Sequence, residues 1–336
     1  MAANPSNQLN TAGLSKVLVT GASGFVGKAL CGNLLHRGVR IVTTCRKQPT
    51  GPEFERDQFE WIATGDIGPC TDWSPALTGI EVVFHLAARV HVMHENSNNP
   101  LAEFRLVNTA GTEHLARSAA ASGVKRLVYV SSIKVNGEET HDGEKFSETD
   151  ATASQDAYAV SKWEAEQALY RVAQETGLEV VIVRPPLVYG PGVKGNFISL
   201  LAAIDRGIPL PLAGANNLRS LLYVGNLVDA LIACATHHAA AGQTYLVSDG
   251  EDVSTAMLVE KIAHALGRKS RTFYFPPDIL RAVAAVLGRA EQVDRLFGSL
   301  RVSDEKIRSE LAWVPPYTLE QGLRATAEWY RNQKLH

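Results

Sequence analysis

Through the first half of the chain, short apolar, β-branched runs alternate with longer stretches of helical period. KVLVT (16–20), VRIVTTC (39–45), VVFHLAA (82–88), RLVYVSS (126–132) and EVVIVRP (179–185) predict strands. Their hydrophobicity is nearly continuous, which predicts strands covered on both faces, as in a parallel sheet. FVGKALCGNLLHRG, after the first strand, puts Phe25, Val26, Leu30, Leu34 and Leu35 on one broad helical face, and Gly38 ends that helix. The repeated strand–helix unit predicts an α/β fold with a doubly wound, Rossmann-type parallel sheet.

After Pro185 the alternation loosens. RPPLVYGPGVKGN is rich in Pro and Gly, and helices such as TAMLVEKIAHALG are separated by short strand-like pieces. The expected division is a loose polar tail over 1–15, a dinucleotide-binding domain over 16–185 plus about 220–250, and a smaller discontinuous substrate domain over about 186–219 plus 251–336. The tail lacks the apolar run of a signal peptide. The longest apolar candidate elsewhere, ILRAVAAVLG (279–288), carries Arg281 and falls short of the roughly 20 residues of a spanning helix. It reads as a packed or surface helix, with a membrane-surface role as the alternative. No stable membrane insertion is expected.

Composition narrows the function classes. Lysines and arginines are balanced by acids to a net charge of −2, which argues against a dedicated nucleic-acid binder. Cys31, Cys45, Cys70 and Cys234 form no CxxC pair and no zinc spacing, so a reducing, cytoplasmic setting is expected.

Directly after the first predicted strand comes TGASGFVG, with Gly21, Gly24 and Gly27 framing Ser23, Phe25 and Val26. Between a strand and a helix, such a turn brings backbone N–H groups to a pyrophosphate and adds the partial positive charge of a helix N-terminus. The spacing is GxxGxxG, and its alternative reading is a tight corner without a ligand. At the end of the second predicted strand, where a carboxylate normally accepts the ribose 2′-hydroxyl of NAD, stand Cys45, Arg46 and Lys47. Two cations and no acid favour a 2′-phosphate, so NADP(H) is the preferred cofactor and NAD(H) the alternative. The competing reading of Arg46 and Lys47 is a solvated loop.

DAYAVSKWEAE sets Tyr158 and Lys162 four apart, on one helix face. Ser132 lies upstream at the end of a predicted strand, where a doubly wound sheet faces its ligand crevice. A tyrosine hydroxyl, pKa about 10 unperturbed, needs a nearby cation to act near neutrality, and Lys162 can supply one. Lys162 can also hydrogen-bond the nicotinamide ribose, which puts Tyr158 and Lys162 among the expected cofactor-binding residues. Ser132 can polarise a carbonyl or alkoxide beside the phenol. The three together permit proton transfer matched to hydride transfer at a nicotinamide.

With HLAA (85–88), VSSIKVNG, YAVSK, RPPLVYGPG, LRSLLYVGNLVDA and LAWVPPYTLEQGL, the chain resembles an extended short-chain dehydrogenase/reductase of the nucleotide-sugar epimerase/dehydratase superfamily, from about Lys16 to the C-terminus. The resemblance implies that Asp66 and Ile67 flank the adenine and that Leu86, Ala87 and Ala88 line the cofactor. It also implies that Asn196 and Arg219 meet the diphosphate of a UDP-sugar, a role suited to the planar fork of an arginine. Dehydratases of the superfamily carry Asp-Glu after the catalytic hydroxyl residue, and here Ile133 and Lys134 stand there, so a dehydratase is not expected. The pattern is most similar to superfamily members that reduce the C4 keto group of a UDP-4-keto-6-deoxy-N-acetylhexosamine with NADPH, for surface-polysaccharide (O-antigen or lipopolysaccharide) precursors. The alternatives are a UDP-sugar C4 epimerase with bound NAD and, from another class, a catalytically silent NADPH-sensing regulator. A homodimer is left open.

Among the remaining features, His91 and His94 match no catalytic zinc pattern and read as lining for a substrate pocket, so no metal is expected. His237 and His238 read as a helix end, and Trp163 and Trp313 as packing residues.

Overall fold

The computed structural model describes residues 14–47, 59–90, 99–141, 143–150, 156–286 and 290–334. Its main sheet is built from β1 (Lys16–Thr20), β2 (Arg40–Cys45), β3 (Phe59–Ala63), β4 (Val82–His85), β5 (Arg126–Val130), β6 (Glu179–Arg184) and β9 (Thr244–Leu246). They pair in the order β3-β2-β1-β4-β5-β6-β9, every neighbour parallel. Chain order reverses between β1 and β4, and a doubly wound sheet opens its ligand crevice at such a point.

Alternate residues of each strand enter different cores, which explains the continuous hydrophobicity. Val17 and Val19 of β1 and Phe84 of β4 pack in one cluster, with α1 (Phe25–His36) and α7 (Val224–Thr236). Leu18 and Val83 point the other way, into a cluster with α2 (Ser74–Leu77), α4 (Gly111–Ala121) and α5 (Ala157–Thr176). Gly38 stands just past α1 at φ +75, the left-handed geometry expected of a helix stop. Between α3 (Pro100–Phe104) and α4, residues Arg105–Ala110 wind as a π-helix.

A second sheet joins β7 (Leu187–Tyr189) parallel to β8 (Arg219–Tyr223), with β10 (Asp252–Val253) antiparallel on the other side of β8. Its core draws Phe197 and Leu201 from α6 (Asn196–Asp205), Leu258 and Ile262 from α8 (Thr255–Ala265), and Leu323 from α12 (Leu319–Gln333). Between α8 and α12 lie α9 (Pro277–Val286), α10 (Ala290–Phe297) and α11 (Glu305–Leu311). Ile307 and Leu311 of α11, with Trp313 beyond it, return to the first core, where the Trp313 indole donates to Asp229 Oδ1 at 2.9 Å.

Trp163 corrects an expectation. It is 37% exposed, because α5 turns Ser161, Lys162, Ala165, Glu166 and Leu169 inward and Trp163 lies on the face beside them. Trp313 is buried, and His237 caps the end of α7. His91 and His94 lie outside the described residues.

Candidate active site

The glycine turn sits at the reversal point of the sheet. Gly21 follows β1 at φ +74, and a Cβ on it would come within 2.8 Å of Ala87 N. Only glycine allows the turn to lie this close to the segment leaving β4. Gly27 packs one helical turn on, where a Cβ would meet Gly21 O at 2.2 Å. Ala87 N donates to Thr20 Oγ1 at 3.2 Å, joining Leu86–Ala88 to the same edge. Gly24 caps α1 without a side-chain acceptor, and no acid occupies the first turn. The N–H groups there are thus left for an anion, which fits the diphosphate of a dinucleotide.

Two strands away, Ser132 caps a short 3-10 turn, its Oγ accepting from Lys134 N at 3.2 Å. Tyr158 and Lys162 share one face of α5. Lys162 is buried, its ammonium donating to Val130 O at 2.7 Å and lying 4.2 Å from the Tyr129 ring centroid. Burial pushes the Lys162 pKa down to about 7 against the pull of Glu166. The Tyr158 phenol is pushed up to about 12, by burial first and then by Asp156. A perturbed lysine and a perturbed tyrosine on one helix face at the ligand edge of the sheet make this a candidate site for proton transfer.

Three further residues support this edge. His85, within an apolar strand, hydrogen-bonds Thr20 Oγ1 at 2.7 Å and Thr112 Oγ1 at 2.8 Å. Burial and the neighbouring Lys162 hold it down at about 3, so it is a neutral brace. Asn108, on the π-helical stretch, accepts from Arg89 N at 2.8 Å and donates to Ser161 Oγ at 3.0 Å; that Oγ donates to Tyr158 O at 2.7 Å. One inserted residue turns Asn108 towards α5, and such insertions recur at functional sites. Asp249 accepts from Tyr189 Oη, Tyr223 N and Asn226 Nδ2 at 2.9, 2.8 and 2.7 Å, tying the smaller sheet to α7.

The remaining expected residues fall into two groups. Arg46 and Lys47 are exposed past β2, and Arg46 Nε lies 3.6 Å from Asp66, itself exposed. Ile67 packs beside the second core, and Ser23 is exposed in the glycine turn. Asn196 begins α6 in an exposed position, and Arg219 begins β8, its guanidinium donating to Gly298 O at 3.0 Å. Among the described residues, no group of three His, Cys, Asp or Glu could hold a metal, and no helix is long and apolar enough to cross a membrane.

Residues 17–248 match the family model described as the NAD dependent epimerase/dehydratase family. The chain is 43% identical over 313 residues to a Vibrio cholerae protein named UDP-glucose 4-epimerase, covering 93% of this chain and 94% of that one. It is 26% identical to an Escherichia coli O157:H7 protein named N-acetyl-alpha-D-glucosaminyl-diphospho-ditrans,octacis-undecaprenol 4-epimerase, with 93% and 94% covered. The structure of MoeE5 in complex with UDP-glucose and NAD superposes with a TM-score of 0.75 at 29% identity, over 95% of this chain and all of that one.

Proposed function

The chain belongs to the NAD-dependent epimerase/dehydratase family, and on that premise we propose that it epimerises a UDP-hexose at C4, using an NAD that stays bound through turnover. The likeness to the Vibrio cholerae UDP-glucose 4-epimerase, across nearly the full length of both chains, carries this reading. Net reduction of a 4-keto sugar thereby becomes the second reading. The observation in its favour is the acid-free end of β2, with Arg46 and Lys47 exposed to meet a 2′-phosphate of NADP(H).

The proposed division of labour follows the site. The turn at Gly21–Gly27 and the first turn of α1 hold the cofactor diphosphate, Asp66 and Ile67 flank its adenine, and Leu86–Ala88 line it. A bound nicotinamide would supply the hydride acceptor and donor that this chemistry needs. Tyr158 accepts the proton of the sugar 4-hydroxyl and later returns it, and Ser132 holds the same oxygen by a hydrogen bond. Lys162, one helical turn along α5, is the cation that favours the phenolate when the ammonium carries its proton. Asn196, at the start of α6, and Arg219, at the start of β8, take the substrate diphosphate.

Incubating the purified protein with UDP-glucose or UDP-N-acetylglucosamine, and following H4 of the sugar by NMR, tests the reading. The expected outcome is an equilibrium of the two C4 epimers without added cofactor, and extraction of NAD from the protein. Consumption of one NADPH per 4-keto sugar, with no epimer formed, would transfer the assignment to the reductase. No conversion of any sugar would leave the silent regulator.

A further inference from the structure

The smaller domain carries a face that the proposed chemistry does not use. The segment after α8 runs beside the end of α6, with Leu210 N donating to Arg271 O and Phe273 N to Leu210 O. From this ledge Phe273 and Tyr274 stand 44% and 69% exposed, with Ile208 at 45% and Ile279, in the first turn of α9, at 52%. Four large apolar side chains on adjoining segments exceed the scatter of single exposed residues on an ordinary surface. The Tyr274 ring lies so close over Gly214 that a Cβ there would come within 2.9 Å, which fixes the ring outward from the backbone.

The charge on this ledge has one dominant sign. Arg206, Lys269 and Arg271 are exposed. Arg268 and Lys334 both pair with Asp205, at 3.0 Å and 2.5 Å. One shared carboxylate and Asp278 at the start of α9 do not balance these cations.

We propose that this ledge, formed by residues 206–208, 268–274 and the start of α9, docks on an anionic phospholipid bilayer. Phe273, Tyr274 and Ile279 enter the headgroup layer, and the surrounding cations meet lipid phosphates. Aromatic rings and a short amphipathic helix flanked by Lys and Arg have the chemistry of an interfacial anchor. A second copy of the same face fits poorly, because it would oppose like charges. The surface adjoins the substrate side of the domain: Arg281 pairs with Asp294 at 2.8 Å, and α10 then leads to Gly298, whose carbonyl holds Arg219.

Co-sedimentation of the full-length protein with phosphatidylcholine vesicles, with and without phosphatidylglycerol, tests the proposal apart from any assay of turnover. The bound fraction should rise with phosphatidylglycerol and fall at high salt. The Lys269→Glu/Arg271→Glu pair should lower partitioning about 10-fold, and Tyr274→Asp/Ile279→Asp by a similar factor, with thermal midpoints unchanged. Should a double variant misfold, the single exposed change Lys269→Glu still reports the electrostatic part. Absence of binding, or equal binding to both vesicle types, overturns the proposal. So does a dimer in sedimentation velocity that these substitutions dissociate.

Discussion

Two buried cations stand on one wall of the molecule, one helical turn apart in their attachment to α5, and they are treated in opposite ways. Arg184 donates through Nε to Glu166 at 3.0 Å and through Nη1 to Asn136 at 3.0 Å, with its Nη2 on the same carboxylate. Among the described residues, Lys162 donates to the Val130 carbonyl, lies over the face of Tyr129, and feels the charge of Glu166 without a hydrogen bond to it. The fork of Arg184 is satisfied, and its pKa stays raised by Glu166 despite the cost of burial. The ammonium of Lys162 is under-compensated and lies near neutrality in its titration. A buried charge with a full set of partners holds structure. One left short of partners is a candidate for chemistry, and Lys162 shares its helix face with Tyr158.

Substitution at the under-compensated end should have the largest effect on activity. Tyr158→Phe is expected to remove about 10²-fold or more of turnover, read from initial rates, while NAD content after purification stays near that of the parent. Lys162→Met should lose at least as much turnover and also reduce retained NAD. If Lys162→Met kept full turnover, the contrast with Arg184 would have no functional content. At the satisfied end, Arg184→Met strands the carboxylate of Glu166, which is fully buried. Urea unfolding should show a loss of about 3–5 kcal/mol.

Stability against pH sharpens the comparison. The folded pKa of Lys162 lies below its unfolded value, so the associated stability is present at high pH and is lost as pH falls from about 10.5 through about 7. Lys162→Met is free of that loss. Its advantage in melting temperature over the parent should widen as pH falls through this window and level off below it. Asp249 gives the smallest effect. Burial raises its pKa from 3.8 to about 6, so its contribution is present below the unfolded value and lost as pH rises through about 6. Asp249→Asn should flatten stability across that interval, by no more than about 3 kcal/mol.

The sheet was legible because its strands are buried on both faces and therefore read as apolar runs; KVLVT coincides with β1 and RLVYV with β5. The edge strand β3, FEWIA, was missed, since its half-exposed pattern gives neither a continuous run nor strict alternation. Tyr158, Lys162 and Ser132 can be proposed from sequence because their residue types suit proton transfer beside a nicotinamide. Their braces could not. His85 looks like one polar interruption in a strand; its hydrogen-bond partners Thr20 and Thr112 are 65 and 27 positions away, and its neutral state comes from burial and Lys162. Asn108 owes its direction to a π-helical turn that leaves no mark on the hydrophobic period. The expectation of reduction over epimerisation draws on the resemblance of the overall pattern and on Arg46 and Lys47, and local charge at a cofactor ribose says little about the net direction of chemistry.

Trp313 has a consequence for how the chain is made. Its indole, with Ile307 and Leu311, fills the core that the first strand begins, and donates to Asp229 on α7. As the chain leaves the ribosome, every strand of the main sheet emerges before Trp313, so that place in the core is filled only after the sheet's strands are already out. A nascent chain that has made the sheet but not Trp313 therefore carries an open apolar seam, the kind of surface that chaperones hold. A ribosome stalled before Trp313 would expose a nearly complete sheet without its final wedge.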